Sequence, residues 1–206
     1  LPPPYHLERI AGAVIDRHEV RILDMRIEDD MAALRRVLAE FQPDMVGCSC
    51  VAANSHLAKD VLAAAKQADP DILTVAGGHH PSLMPESMYA PFIDFIVIGE
   101  GELTLRELAG MRDVNLAPEA IKGIAWRGPD GAYTVNPPRE LMDLATLPPA
   151  ARHLTRPYRD RQLYFRGTWR PTDSIISSRG CPFRCNFCGL WKIHRGKYRC
   201  RPPEQV

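Results

Sequence analysis

The chain has 206 residues, 45% of them apolar and 25% charged, with a formal net charge of +1. That length holds one domain with room for part of a second, and the composition is that of a globular protein able to bury a sizeable core. Near-neutral charge argues against nucleic acid or an anionic membrane as a whole-surface partner, and no apolar run approaches the ~18 residues that a transmembrane segment needs.

The chain opens Leu1-Pro2-Pro3-Pro4 and stops at Val206 just as a new element begins, so it reads as a fragment of a longer enzyme. Residues 5–16 are predicted to be helical, with Leu7, Ile10, Val14 and Ile15 near helical spacing. Residues 20–24 form a short apolar run, read as a strand. A helix is expected over 30–41, where Leu34, Val37, Leu38 and Phe41 make one stripe, and a buried strand over 45–49. Asn54 can cap a helix that runs to Ala68 through Leu57, Val61 and Leu62. A third strand over 72–76 ends in Gly77-Gly78. A fourth over 95–98 ends in Gly99-Glu100-Gly101-Glu102, and a helix from Leu103 to about Met111 closes this region.

Strands that are continuous apolar runs alternating with helices indicate a parallel sheet covered on both faces. The expected fold is α/β and doubly wound, with ligands at the carboxyl ends of the strands. Such a domain usually opens with a central strand before its first helix, and that strand is missing from this sequence. Beyond Met111, apolar runs at 124–126 and 133–135 flank Gly128-Pro129-Asp130-Gly131, a hairpin signal. Pro137, Pro138, Pro148, Pro149, Pro157 and Pro171 then punctuate a long connection, read as a linker that wraps a surface. Residues 174–177 are the last expected strand. Arginines and lysines crowd the stretch from Arg152 to Arg201 with only Asp160 and Asp173 against them. A solvated basic face is preferred there to a surface that meets anionic ligand groups or an acidic partner region.

Cys181, Cys185 and Cys188 have the spacing C-x3-C-x2-C. Three thiolates on so short a loop can each bind one iron of a [4Fe–4S] cubane, leaving the fourth iron open to a substrate or cosubstrate. Gly180 lets the chain leave the strand sharply, and Phe187 would shield the cluster. Zinc would need a fourth ligand, from Cys200 or His194, and finger and ribbon sites favour paired C-x2-C units. No secretory signal is visible, so six cysteines suggest a reducing compartment, the cytoplasm, and metal binding over disulfides. Cys48 and Cys50 are read as buried small thiols, and Cys200 as a packing or exposed cysteine.

The run from Arg179 to Cys188 resembles the cluster loop of the radical S-adenosylmethionine (SAM) superfamily. The continuation through Trp191-Lys192, Arg195, Tyr198-Arg199 and Arg201-Pro202-Pro203-Glu204 resembles the branch that carries an N-terminal cobalamin-binding domain. Four stretches are similar to that domain: 17–24, 43–49, 75–82 and 98–102. The resemblance implies a flavodoxin-like cobalamin-binding domain in residues 1–112 and a hairpin and linker in 113–172. In 173–206 it implies the first strand and cluster loop of a radical SAM barrel, a partial TIM-type barrel.

It implies Cys181, Cys185 and Cys188 as metal ligands, and a reduced cluster that cleaves SAM to a 5′-deoxyadenosyl radical. It also implies Ser49, Gly77, Gly78, His79, Gly99, Glu100, Gly101 and Phe187 near the cofactors. At most one of His79 and His80 is expected to point at a ligand. Asp16-Arg17-His18 lacks the glycine of the cobalt-ligating D-x-H-x-x-G motif, so His18 is read as a turn histidine. Glu100 and Glu102 are read as structuring their loop rather than as an acid–base pair. The implied partners are a small-molecule substrate and an electron donor such as a flavodoxin or ferredoxin, with no nucleic acid. The implied activity is methyl transfer. The alternatives are ring formation like that of the anaerobic magnesium-protoporphyrin ester cyclase and a non-catalytic cobalamin-binding module. The tRNA methylthiotransferases are set aside, because their N-terminal cysteine triad is absent from this N-terminal half.

Overall fold

A computed structural model describes residues 1–206. The helices are α1 (Tyr5–Gly12), α2 (Met31–Phe41), α3 (Ser55–Ala68), α4 (His79–Leu83), α5 (Glu102–Gly110), α6 (Arg156–Asp160) and α7 (Leu190–Ile193). The strands are β1 (Met45–Ser49), β2 (Leu73–Gly77), β3 (Phe95–Val97), β4 (Ile124–Arg127), β5 (Tyr133–Val135), β6 (Ser178–Arg179) and β7 (Arg199–Cys200). β1 to β5 form one sheet in chain order, and β6 pairs with β7. No helix is long and apolar enough to cross a membrane.

The sheet is built as the apolar runs require. Side chains alternate across a strand, and here the alternation sorts two cores. Ala76, Ile96 and Ala125 face one side with Ala58 and Leu62 of α3. Val75, Phe95, Val97 and Ile124 face the other with Leu108 of α5. β1, β2 and β3 are parallel. The hairpin β4–β5 continues the same sheet antiparallel, with Phe95 opposite Trp126 and Trp126 opposite Thr134. The sheet is therefore mixed, not all-parallel.

Asp94 interrupts the apolar run that leads into β3, and its carboxylate explains why. It accepts from the Thr74 amide at 2.9 Å and the Thr74 hydroxyl at 3.0 Å, pairs with Lys66 at 2.8 Å and faces Arg127 at 3.6 Å. One carboxylate thus ties α3, β2 and β4 to the start of β3. Asp30 caps α2 through the Ala33 amide. Asn54 does not cap α3; its Oδ1 instead accepts from the Val51 amide at 2.8 Å.

Two expected strands are not strands. Residues 20–24 have no regular secondary structure and no ladder partner. Ile22 is buried with Ala11 and Ala151, Leu23 packs against the core cluster that contains Leu34 and Leu38, and the Asp24 amide donates to the Tyr158 hydroxyl at 3.3 Å instead of to a neighbouring strand. Residues 174–177 form no strand either; the Ser177 carbonyl accepts from the Arg201 amide at 2.7 Å and the Ser174 carbonyl from Arg152 at 2.8 Å, and Ile175 and Ile176 are exposed. The ladder forms one step later, where Ser178 meets Cys200 and Arg179 meets Arg199.

The proline-rich connection returns to the start of the chain. It is fastened to α1, where Ala151 donates to the Glu8 carbonyl at 2.8 Å and Arg159 reaches the Glu8 carboxylate at 2.5 Å. Tyr158 and Tyr164 then hold Glu28 and Asp24 at 2.9 and 3.1 Å.

Candidate functional site

The carboxyl ends of β1, β2 and β3 lie side by side and form one rim. Ser49, half-buried, ends β1 opposite Gly77. The next amide, that of Cys50, donates to the Gly77 carbonyl at 2.9 Å. Gly78 has φ +105°, and a Cβ there would lie 2.6 Å from the Cys50 carbonyl oxygen and 2.9 Å from Ser49 Oγ. Only glycine lets the second loop cross the first so closely. Gly77 is under no such pressure; a Cβ there would meet Val97 at an ordinary 3.8 Å.

Of the paired histidines, His80 is engaged through Nε2 with the Ser87 hydroxyl at 2.8 Å, while His79 is exposed. Ser82 closes the 75–82 stretch, and the sequence assigns it no role. Its hydroxyl donates to the Gly78 carbonyl at 2.7 Å and accepts from the Gly99 amide at 3.0 Å, bridging the loops after β2 and β3. A hydroxyl residue four positions beyond a Gly-Gly strand end was the available signal. Gly99 has φ +94°, and the space where its Cβ would stand is open. Val51, Leu57 and Met84, on the segments that leave β1 and β2, are exposed apolar side chains around the same rim. Glycine-lined backbone, open space and an apolar border suit a large flat cofactor with apolar faces. Burial and the neighbouring Cys50 push the Cys48 thiol up to about 12, and burial raises Cys50 as well. Both stay protonated and serve as packing groups. His18 ends the turn that follows α1.

The cysteine loop leaves β6 at Gly180, which has φ +92°; a Cβ there would overlap the Lys197 carbonyl. Cys181 and Cys188 are half-buried, Cys185 is exposed, and all three thiols are free. The Cys188 amide donates to the Cys185 carbonyl at 3.1 Å, which closes the loop. Phe183 and Phe187 project from it into solvent. No three His, Cys, Asp or Glu side chains converge as they would on a single metal ion. A cubane takes each thiolate on a different iron, so its ligands stand apart. Three soft donors spaced C-x3-C-x2-C suit a cubane better than the paired C-x2-C units of zinc sites. His194, a candidate fourth zinc ligand, is buried, and its Nδ1 lies 3.2 Å from an Arg199 guanidinium nitrogen. Arginine can only donate, so Nδ1 is the acceptor of a neutral ring. Burial lowers the His194 pKa, and Arg199 and Arg179 reinforce this against the opposing charge of Glu100.

Rim and cysteine loop meet at a seam. Gly189 lies against Leu83 of α4, where a Cβ would overlap the leucine side chain. Glu100 pairs with Arg199 at 2.5 Å and Arg179 at 3.4 Å, and accepts from the Met142 amide at 3.1 Å; Glu102 pairs with Arg179. Burial opposes ionisation of Glu100, but the Arg199 hydrogen bond, the Met142 amide and both guanidinium charges outweigh it and hold the carboxyl below its ordinary value. For Arg179, burial is outweighed by Glu102 and Glu100, and its pKa is raised. The basic stretch is therefore not simply a solvated face: Arg159, Arg179 and Arg199 turn inward to the buried carboxylates of Glu8, Glu102 and Glu100, while Arg152 pairs with Asp173 at the surface. The Glu100 side chain is likewise taken up by arginines and not presented to the open rim.

A sheet with a glycine-lined ligand rim defines a cofactor-binding α/β domain. The chain belongs to the B12-binding domain family, whose model matches residues 2–109. It is 31% identical to an uncharacterized methyltransferase of Pyrococcus horikoshii, over 99% of this chain and 44% of that protein. It is 33% identical to the anaerobic magnesium-protoporphyrin IX monomethyl ester cyclase of Rubrivivax gelatinosus, over 95% of this chain and 35% of the cyclase. The chain thus spans less than half the length of these curated relatives. The structure of the cobalamin-dependent SAM radical enzyme OxsB, with aqua-cobalamin and SAM bound, superposes on all of this chain and 28% of that one, with a TM-score of 0.78 at 22% identity. That likeness shows the fold.

Proposed function

We propose that this chain is the cobalamin-binding portion and cluster loop of a cobalamin-dependent radical SAM enzyme acting on a small molecule, with methyl transfer as its reaction. One observation carries the reading: a C-x3-C-x2-C loop of free thiols is fastened directly to the ligand rim of a B12-binding domain. Cys181, Cys185 and Cys188 would hold a [4Fe–4S] cluster, which supplies the electron for reductive cleavage of SAM. Ser49, Gly77, Gly78, His79, Gly99 and Gly101 would line the cobalamin side, and Phe187 would cover the cluster. Gly78 brings backbone rather than side chain to the ligand, and Val51, Leu57 and Met84 would exclude water from the corrin border. The resemblance to a methyltransferase supports methyl transfer; the 33% identity to a cyclase keeps ring formation as a second reading.

Anaerobic reconstitution of the full-length protein tests this. The expected product holds about four irons per chain, retains cobalamin through gel filtration and releases 5′-deoxyadenosine from SAM under reduction. Cys185→Ala should lose the iron while retaining cobalamin. Unchanged iron in that variant would sink the cluster assignment. Transfer of a labelled SAM methyl group to product separates methyl transfer from ring formation.

A further inference from the structure

β6 and β7 are only two residues long, too short to stand as an independent hairpin. Their ladder also sets Arg179 directly opposite Arg199, and like charges in that relation repel. Glu100 resolves the conflict. One of its oxygens lies 2.5 Å from Arg199 and 3.4 Å from Arg179, and Glu102 takes the other side of Arg179. The two carboxylate side chains are 7% and 3% exposed, so water does not screen these contacts. Both glutamates flank Gly101 where β3 gives way to α5, next to the open glycine turn at Gly99. Arg179 lies two residues before Cys181. The path from the cobalamin rim to the first thiol is therefore Gly99, Glu100, Arg179, Gly180 and Cys181.

We infer that Glu100 and Glu102 are positioning residues that fix the cysteine loop, and hence the cluster, in one place relative to the cobalamin rim. This rests on the functional reading above. The physical reason is directional. A buried carboxylate–guanidinium pair gives little net stability relative to an apolar contact, but its geometry is narrow. Two such pairs on one ladder rung oppose both sliding and rotation of the loop. Gly189 against Leu83 adds a third point of attachment.

The test uses the full-length protein carrying Glu100→Gln and Glu102→Gln together, reconstituted with iron and sulfide, loaded with hydroxocobalamin and reduced. Gln keeps the shape of Glu and removes its charge. Pulsed electron paramagnetic resonance then reads the dipolar splitting between cob(II)alamin and the reduced cluster. The expected result is iron and cobalamin near wild-type content with a broadened splitting. Asp94→Asn is the control, because it weakens the sheet at the opposite end of β3 and leaves the seam intact; its splitting should remain narrow. A wild-type splitting in the doubly substituted protein overturns the assignment. So does an equal broadening in Asp94→Asn, or loss of the sheet's cooperative melt in the Gln variant, since either makes the glutamates ordinary fold determinants. A wild-type protein that takes up neither iron nor cobalamin overturns the functional reading beneath it, which is a distinguishable failure.

Discussion

Residues 45–135 and residues 178–200 are held by different kinds of force. In the first region Leu62, Ala76, Met88, Ile93, Ile96 and Ala125 pack into a core that water does not reach. In the second, Phe183 and Phe187 face solvent, and attachment to the rest of the chain includes the buried ion pairs of Arg179 and Arg199 and the Arg195 hydrogen bond to the Arg139 carbonyl. Apolar burial is strong and tolerant of small displacements; charged hydrogen bonds add less net stability but specify angle and distance. Stability is concentrated in the sheet and precision at the seam. The cysteine loop can then depend on the sheet without contributing much to it.

The largest expected effect separates the two directly. Leu62→Ala removes a fully buried side chain and should cost about 2–5 kcal/mol. A chemical denaturation curve measures this, and iron per folded chain should stay at the wild-type level. Parallel loss of iron would show that the loop shares the core's stability after all. Gly180→Ala should do the reverse. The added methyl meets the Lys197 carbonyl at a positive φ, so β6 and β7 must separate. The sheet's melting should shift by no more than about 1 kcal/mol, while iron uptake falls. Iron uptake equal to wild type would disprove the strain.

Acidification has the smallest effect and the most specific sign. Glu100 and His194 both have folded pKa values below their ordinary 4.5 and 6.5. Such groups take up protons more readily in the unfolded chain, so their contribution is full at neutral pH and falls as pH drops. His194 should begin to weaken the seam below about 6.5, and Glu100 below about 4.5. Proteolysis within 178–200 should therefore rise in mild acid before the sheet unfolds. Earlier loss of the sheet would break the comparison.

Most of the sheet was legible in the sequence. The runs at 45–49, 72–76 and 95–98 are strands within a residue of their expected ends, because a buried parallel strand must be apolar on both faces. The runs at 20–24 and 174–177 misled for a related reason: apolar character predicts burial or extension, but not a ladder partner. That the hairpin joins the main sheet was equally hidden, since Phe95 and Trp126 meet across a long stretch of chain. The cysteines announced themselves by spacing. Their support did not. Glu100 and Arg199 are 99 positions apart, and nothing local marks them as a pair. The arginine-rich stretch looked like a solvated face because the buried partners of Arg159, Arg179 and Arg199, namely Glu8, Glu102 and Glu100, lie far away in sequence.

Ser82 gives the rim a mechanical property. One hydroxyl joins the Gly78 carbonyl to the Gly99 amide, and Gly99 precedes the glutamate that grips β7. The loop after β2, the loop after β3 and the base of the cysteine loop are thereby a single hydrogen-bonded relay. Order in such a relay is shared: a ligand that stills one end lowers the entropy left to lose at the other. Linkage makes the effect reciprocal. Cobalamin loading should then slow hydrogen exchange at the Arg199 amide, and cluster assembly should slow it at Gly99. Ser82→Ala should uncouple the two, although it touches neither the cysteines nor their arginines.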